Sequence, residues 1–128
     1  MEIAQIKTVQ PHVLGGTIIT IEIDISKGLH SLSIVGLAGK AVDESKDRVG
    51  SAIKHSGYDS PKSKNQKVVI SLSPADIKKE GPLFDLPIAI AYLVASGTIP
   101  RPKDSVIFVG ELGLDGRLRP VKGILNCV

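Results

Sequence analysis

The stretch Thr17–Ile25 (TIITIEIDI) constrains this chain more than any other. Ile19, Ile21, Ile23 and Ile25 take alternate positions, and Thr20, Glu22 and Asp24 take those between. Successive side chains on a strand point to opposite faces, so this pattern predicts a strand with one face in a core and the other toward water. Everything else must supply partners for that isoleucine face. Glu2–Val9 reads as a first strand ended by Pro11. Leu29–Val35 reads as a third strand, antiparallel to the second across the turn Ser26-Lys27-Gly28.

Helical patterning starts after Gly39. Between Lys40 and Ser56, residues Val42, Ser45, Val49, Ala52, Ile53 and Ser56 fall on one stripe of a 3.6-residue period. Asp43 and Glu44 suit the first turn, and Gly57 the left-handed stop. A polar loop follows, then a strand over Val68–Leu72 closed by Ser73-Pro74. Asp85 reads as the cap of a second helix, with Pro87 in its first turn and Gly97 at its end. Leu86–Ser96 carries no charge, so the expectation is a helix wrapped on all sides. Ser105–Leu112 and Arg117–Val121 read as strands around the hairpin signal Asp115-Gly116. Strands before, between and after two helices predict an α+β fold, a mixed β-sheet packed against helices, in one domain spanning 1–128. The apolar run after Gly123 suggests a piece of a longer protein.

Composition narrows the classes of function. The longest uncharged apolar run, Leu86–Ala95, is well short of the roughly 18–20 residues that cross a bilayer, so no membrane role is expected. The N-terminus has no secretory h-region, and the lone cysteine, Cys127, cannot form an internal disulfide, which together point to the cytoplasm. His12, His30 and His55 are dispersed, and no metal site is expected. Gly36-Leu37-Ala38-Gly39-Lys40 invites a P-loop reading, but Ile34 stands at the first glycine and Ala41 at the Ser/Thr position, so no ATP site is expected in this domain. Gly110, Gly113 and Gly116 have the wrong spacing for a dinucleotide fingerprint.

A net charge of +3 permits nucleic-acid binding without requiring it. The chain has only four aromatic residues (Tyr58, Phe84, Tyr92 and Phe108), too few to stack several bases. Two basic segments stand out as candidate phosphate contacts. Lys62, Lys64 and Lys67 lie in a loop, and Arg117, Arg119 and Lys122 in a hairpin arm, where strand alternation puts Arg117 and Arg119 on one face.

Two segments, Lys79-Glu80-Gly81-Pro82-Leu83-Phe84-Asp85 and Gly110 to Gly123, resemble the proteolytic domain of Lon, which has the ribosomal protein S5 domain 2-like fold. The resemblance implies a Ser nucleophile at the position of Leu83 and a Lys base at that of Leu125. Leucine supplies neither a hydroxyl nor an amine, so no catalytic residue is expected. Ser71 or Ser73 with Lys78, Lys79 or Lys122 lies elsewhere in the pattern.

A closer resemblance covers nearly the whole chain. Asp24–Leu29, Ile34–Leu37, Val42-(x)2-Ser45-(x)2-Arg48-Val49-(x)2-Ala52-Ile53-Lys54-(x)-Ser56-Gly57, Leu72–Ile77 and Lys79-Glu80-Gly81-(x)2-Phe84–Ala89 occur in order. They are similar to the N-terminal domain of magnesium-chelatase-like AAA+ ATPases of the YifB/ComM type. That resemblance implies a Lon-like domain joined to a hexameric AAA+ module, with ATP and Mg2+ bound by that module. Members of the ComM type are ATP-driven DNA motors that promote branch migration in natural transformation, and an inactive Lon-like domain in RadA-type recombination proteins is a DNA-binding, oligomerising scaffold. The expectation is a non-catalytic domain that helps ring assembly and engages DNA. The alternatives are a protein-interaction or metal-chelatase accessory module, or a residual Ser-Lys peptidase.

Overall fold

A computed structural model describes residues 2–12, 15–61, 64–103 and 105–120. Lys62, Lys122, Leu125 and Cys127 lie outside the described residues. Strands β1 (Glu2–His12), β2 (Gly15–Lys27), β3 (Ser31–Val35) and β4 (Gln66–Ser73) form one mixed sheet in the order β1-β2-β4-β3. Helices α1 (Lys40–Asp43) and α2 (Ser45–His55) cross from β3 to β4, and α3 (Asp85–Ala95) packs on β1 and β2. Strands β5 (Glu111–Leu112) and β6 (Leu118–Arg119) make a separate antiparallel hairpin.

The isoleucine row seeds the core as its alternation requires. Ile19, Ile21, Ile23 and Ile25 are buried, facing Val68, Ile70 and Leu72 of β4 and Ala4 and Ile6 of β1. Each fully buried side chain of this size contributes about 1.5–3 kcal/mol relative to exposure, so this layer dominates the stability.

The sheet departs from expectation at β3. Its chain direction opposes that of β2, but the two strands are not neighbours: β4 lies between them, antiparallel to β2 and parallel to β3. Gly28–His30 bridges the two strand spacings, about 10 Å. The physical reason lies in the side chains. Val68, Ile70 and Leu72 are essentially inaccessible and need strands on both sides, whereas β3 alternates exposed Ser31, Ser33 and Val35 with half-buried Leu32 and Ile34.

Other boundaries shift for local reasons. β1 runs through Pro11 to His12, because an edge strand paired only with β2 tolerates a residue without an N–H. The single helix expected over Lys40–Ser56 is interrupted at Glu44, and Ser56 is exposed beyond the last turn of α2, although Val42, Ser45, Val49, Ala52 and Ile53 are buried as the stripe requires. The Ser105–Leu112 strand contracts to Glu111–Leu112. The Gly110 amide donates to the Leu83 carbonyl (3.0 Å) and its carbonyl accepts from Leu86 (3.0 Å), so this backbone is spent on the start of α3. Asp115-Gly116 forms a three-residue loop with Leu114 rather than a two-residue turn. Gly116 donates to Gly113 and takes the left-handed conformation (φ 88°), and Gly113 donates to Arg117 (2.8 Å). The helix α3 is not wrapped on every side either. Ile88, Ala91, Tyr92 and Ala95 are buried, while Leu86, Ile90 and Leu93 line an open groove of about 120 Å³ with Ile53 and Tyr58.

Candidate functional site

Asp85 begins α3 and is fully buried, yet it caps nothing, since the N-cap position falls on Phe84. Its carboxylate instead collects four donors from two other elements. Ser45 Oγ donates at 2.5 Å, Arg48 Nε at 2.7 Å, Arg48 Nη2 at 3.0 Å and the Leu112 amide at 3.0 Å. Arg48 Nη2 also reaches the Ala41 carbonyl at 2.8 Å. The hydrogen bond to Asp85 raises the Arg48 pKa above its ordinary value, against the opposing effect of burial. The expected cap is thus a staple joining α2, α3 and β5. The available sequence signal was a lone carboxylate at the head of an otherwise uncharged helix, which a buried position obliges to find a cation.

Around this staple lies the segment that resembles the Lon nucleophile loop. Pro82–Phe84 is one 3-10 turn entered through Gly81 at φ 83°, and Leu83 within it is buried. The residue that the resemblance sets at the nucleophile position is thus a buried hydrocarbon, and its backbone carbonyl accepts from the Gly110 amide (3.0 Å). Lys79, four residues earlier, is also fully buried. Its backbone is pinned by Leu37 and Gly39, its amine donates to the Pro74 carbonyl, and burial lowers its pKa from the ordinary 10.5. Ser73 Oγ is directed to the Thr20 carbonyl (3.4 Å). The Lys79 amine donates to the Pro74 carbonyl and the Lys78 amine pairs with Glu80 (3.5 Å), so neither is spent on Ser71 or Ser73.

The glycines of the Gly36–Lys40 segment serve close packing. A Cβ on Gly36 (φ 107°) would lie 2.1 Å from the Leu72 carbonyl oxygen, and one on Gly39 2.8 Å from that of Lys79. The Gly39 amide already donates to Lys79 (2.7 Å), and α1 beyond it is a single turn. No group of three or more His, Cys, Asp or Glu residues that could hold a metal ion occurs among the described residues.

Of the six candidate phosphate contacts, four are described, and all four are exposed: Lys64, Lys67, Arg117 and Arg119. The structure brings only some of them together. Lys64 lines a depression with Tyr58, and Tyr58 also lines the neighbouring groove with Gly116, next to Arg117. Lys64 and the hairpin tip at Gly116 thus flank one exposed ring. Lys67 belongs elsewhere, because alternation from buried Val68 turns it to the outer sheet face. Arg117 and Arg119 do not form the expected strand pair, since Arg117 precedes β6 and its amide donates to Asp115 Oδ1 (3.0 Å). That bond lowers the Asp115 pKa against an opposing desolvation, with the Arg119 and Arg117 charges acting in the same direction as the bond. The Arg119 guanidinium lies over Gly113, where a Cβ would come within 2.5 Å of it.

Fold and site define an α+β domain in which the loop resembling a protease nucleophile turn is held by backbone hydrogen bonds and carries a buried leucine, Leu83. The chain belongs to the family described as subunit ChlI of Mg-chelatase, whose model matches residues 21–128. It is 50% identical over 109 residues to YifB of Escherichia coli, covering 84% of this chain and 21% of that protein. It is 39% identical over 112 residues to competence protein ComM of Haemophilus influenzae, covering 87% of this chain and 21% of that protein. A Lon protease of Syntrophomonas wolfei is 30% identical over 114 residues, covering 86% of this chain and 14% of that protease. The chain therefore spans about a fifth of the length of its YifB and ComM relatives. No described helix is long and apolar enough to cross a membrane.

Proposed function

We propose that this chain is a non-catalytic scaffold domain, of the S5 domain 2-like fold, in a cytoplasmic magnesium-chelatase-like AAA+ ATPase, and that it engages DNA. The observation that carries the reading is that Leu83, which the resemblance to Lon sets at the nucleophile position, is a buried side chain with no reactive atom. A frame kept without its chemistry serves as a platform. In this reading a further AAA+ module binds ATP and Mg2+, assembles as a hexamer and drives DNA in recombination or natural transformation. The similarity to a competence protein, ComM, supports that direction. Exposed Lys64, Lys67, Arg117 and Arg119, with Lys62 and Lys122, contact phosphates as point charges.

The test is fluorescence anisotropy of labelled single-stranded and branched DNA across a salt series. Binding that weakens as salt rises, and is lost when the six basic residues become Ala, is the expected result. Flat anisotropy at low salt removes the DNA role. A fluorogenic peptide assay is expected to show no turnover, and turnover abolished by one Ser substitution overturns the scaffold reading.

A second reading, a protein-interaction module, is favoured by the groove along α3 and by Leu114 and Leu118, 58% and 60% exposed on the hairpin. Partner retention that resists nuclease treatment distinguishes it.

A further inference from the structure

We propose that Tyr58 is a stacking platform for one unpaired base of single-stranded nucleic acid, with Lys64 on one side of the strand and the Gly116-Arg117 hairpin tip on the other. The inference rests on the DNA-engaging reading above and deepens it by naming the site and the form of nucleic acid.

Tyr58 is 45% exposed, whereas Phe84 and Tyr92 are buried and Phe108 is half-buried. Its position is fixed by the end of α2. Gly57 turns the chain at φ 90°, and the Tyr58 amide donates back to the Ile53 carbonyl (3.1 Å). The ring thus stands on an anchored backbone between two depressions. One, of about 200 Å³, is lined by Asp59, Lys64, Tyr92, Ser96 and Thr98. The other is the apolar groove of α3 and Gly116. A base has an apolar face and a polar edge, and this setting offers a ring for the first and hydroxyl groups for the second.

Charge limits the orientation of the strand. Lys64 forms no salt bridge among the described residues, and the Arg117 side chain, 85% exposed, is paired among them with Asp115 at a long 3.9 Å. Both are available to phosphate. Asp59 at the polar rim repels phosphate and accepts hydrogen bonds, so the edge of the base, rather than the backbone of the strand, belongs on that side. A duplex keeps its bases stacked internally and cannot present one to an isolated ring, so the site selects single strands.

The chain contains no tryptophan, which makes Tyr58→Trp a unique fluorescent reporter. Titration of Tyr58→Trp with a short single-stranded oligonucleotide is expected to quench its emission, and the matching duplex to leave it unchanged. Tyr58→Ala is expected to weaken single-strand binding by about tenfold, within a range of roughly five- to a hundredfold, and Tyr58→Phe to preserve it. Far-UV circular dichroism checks that each variant is folded. If Lys64→Ala and Arg117→Ala weaken binding while Tyr58→Trp emission stays flat and Tyr58→Ala binds normally, the stacking site is wrong and the DNA-engaging reading stands. If no nucleic acid binds at low salt, both fail.

Discussion

Replacing Asp85 by Asn exchanges one oxygen for an amide nitrogen and should destabilise the domain strongly. The carboxylate accepts four hydrogen bonds from three partners, none longer than 3.0 Å. An amide keeps one acceptor oxygen and turns an N–H2 against the remaining donors. It also leaves Arg48 without its counter-charge. Breaking a buried ion pair by removing one partner costs about 3–5 kcal/mol. The Arg48 side chain is 23% exposed, so water recovers part of its charge and the lower end, about 3 kcal/mol, applies. For a domain of this length that corresponds to a fall of roughly 10 °C in Tm. Urea unfolding followed by far-UV circular dichroism measures the loss. Arg48→Met and the double variant close a thermodynamic cycle in which the coupling should exceed about 1.5 kcal/mol. A cost below about 1 kcal/mol for Asp85→Asn, or additive single effects, would show that the four contacts do not act as a unit.

Two further outcomes follow from buried polar groups. Thr8 is fully buried with its hydroxyl unpartnered, so Thr8→Val should raise the urea midpoint by an amount corresponding to about 1 kcal/mol, and a lowered midpoint would reveal a partner for that oxygen. Burial holds the folded-state pKa of Lys79 below 10.5, so between the two values the unfolded chain binds more protons and stability rises with pH. Lys79→Met should flatten that alkaline rise, measured as the urea midpoint across the range, and an unchanged slope would mean that another group produces it.

Local periodicity made much of this fold legible, and partner choice was where it failed. The alternation of Ile19 to Ile25 located the core face of β2 correctly, because a period of two is a property of the strand alone. The place of β3 depended on a comparison between strands. Val68, Ile70 and Leu72 compete with Leu32 and Ile34 for the central slot, and the row that buries more apolar surface takes it. The same distinction applies at the site. The turn holding Leu83 was announced by Gly81-Pro82, a local pattern, and the structure has a 3-10 turn there. The pairing of Asp85 with Arg48 spans 37 residues, and the gathering of Lys64, Tyr58 and the hairpin tip spans more, so neither has a local signature.

The staple and the basic surface are mechanically connected. Asp85 holds the Leu112 amide at the root of the β5–β6 hairpin, and Ser51 Oγ on α2 donates to the Leu114 carbonyl at its tip (3.0 Å). Gly116 packs so closely on Ser56 that a Cβ there would come within 2.6 Å of its hydroxyl oxygen. The position of Arg117 relative to Tyr58 is therefore set by the same helix that carries Arg48. The same contacts fix a cationic hairpin beside an exposed ring. Loosening the staple should therefore cost nucleic-acid affinity as well as stability, although Asp85 lies buried at a distance from every proposed contact.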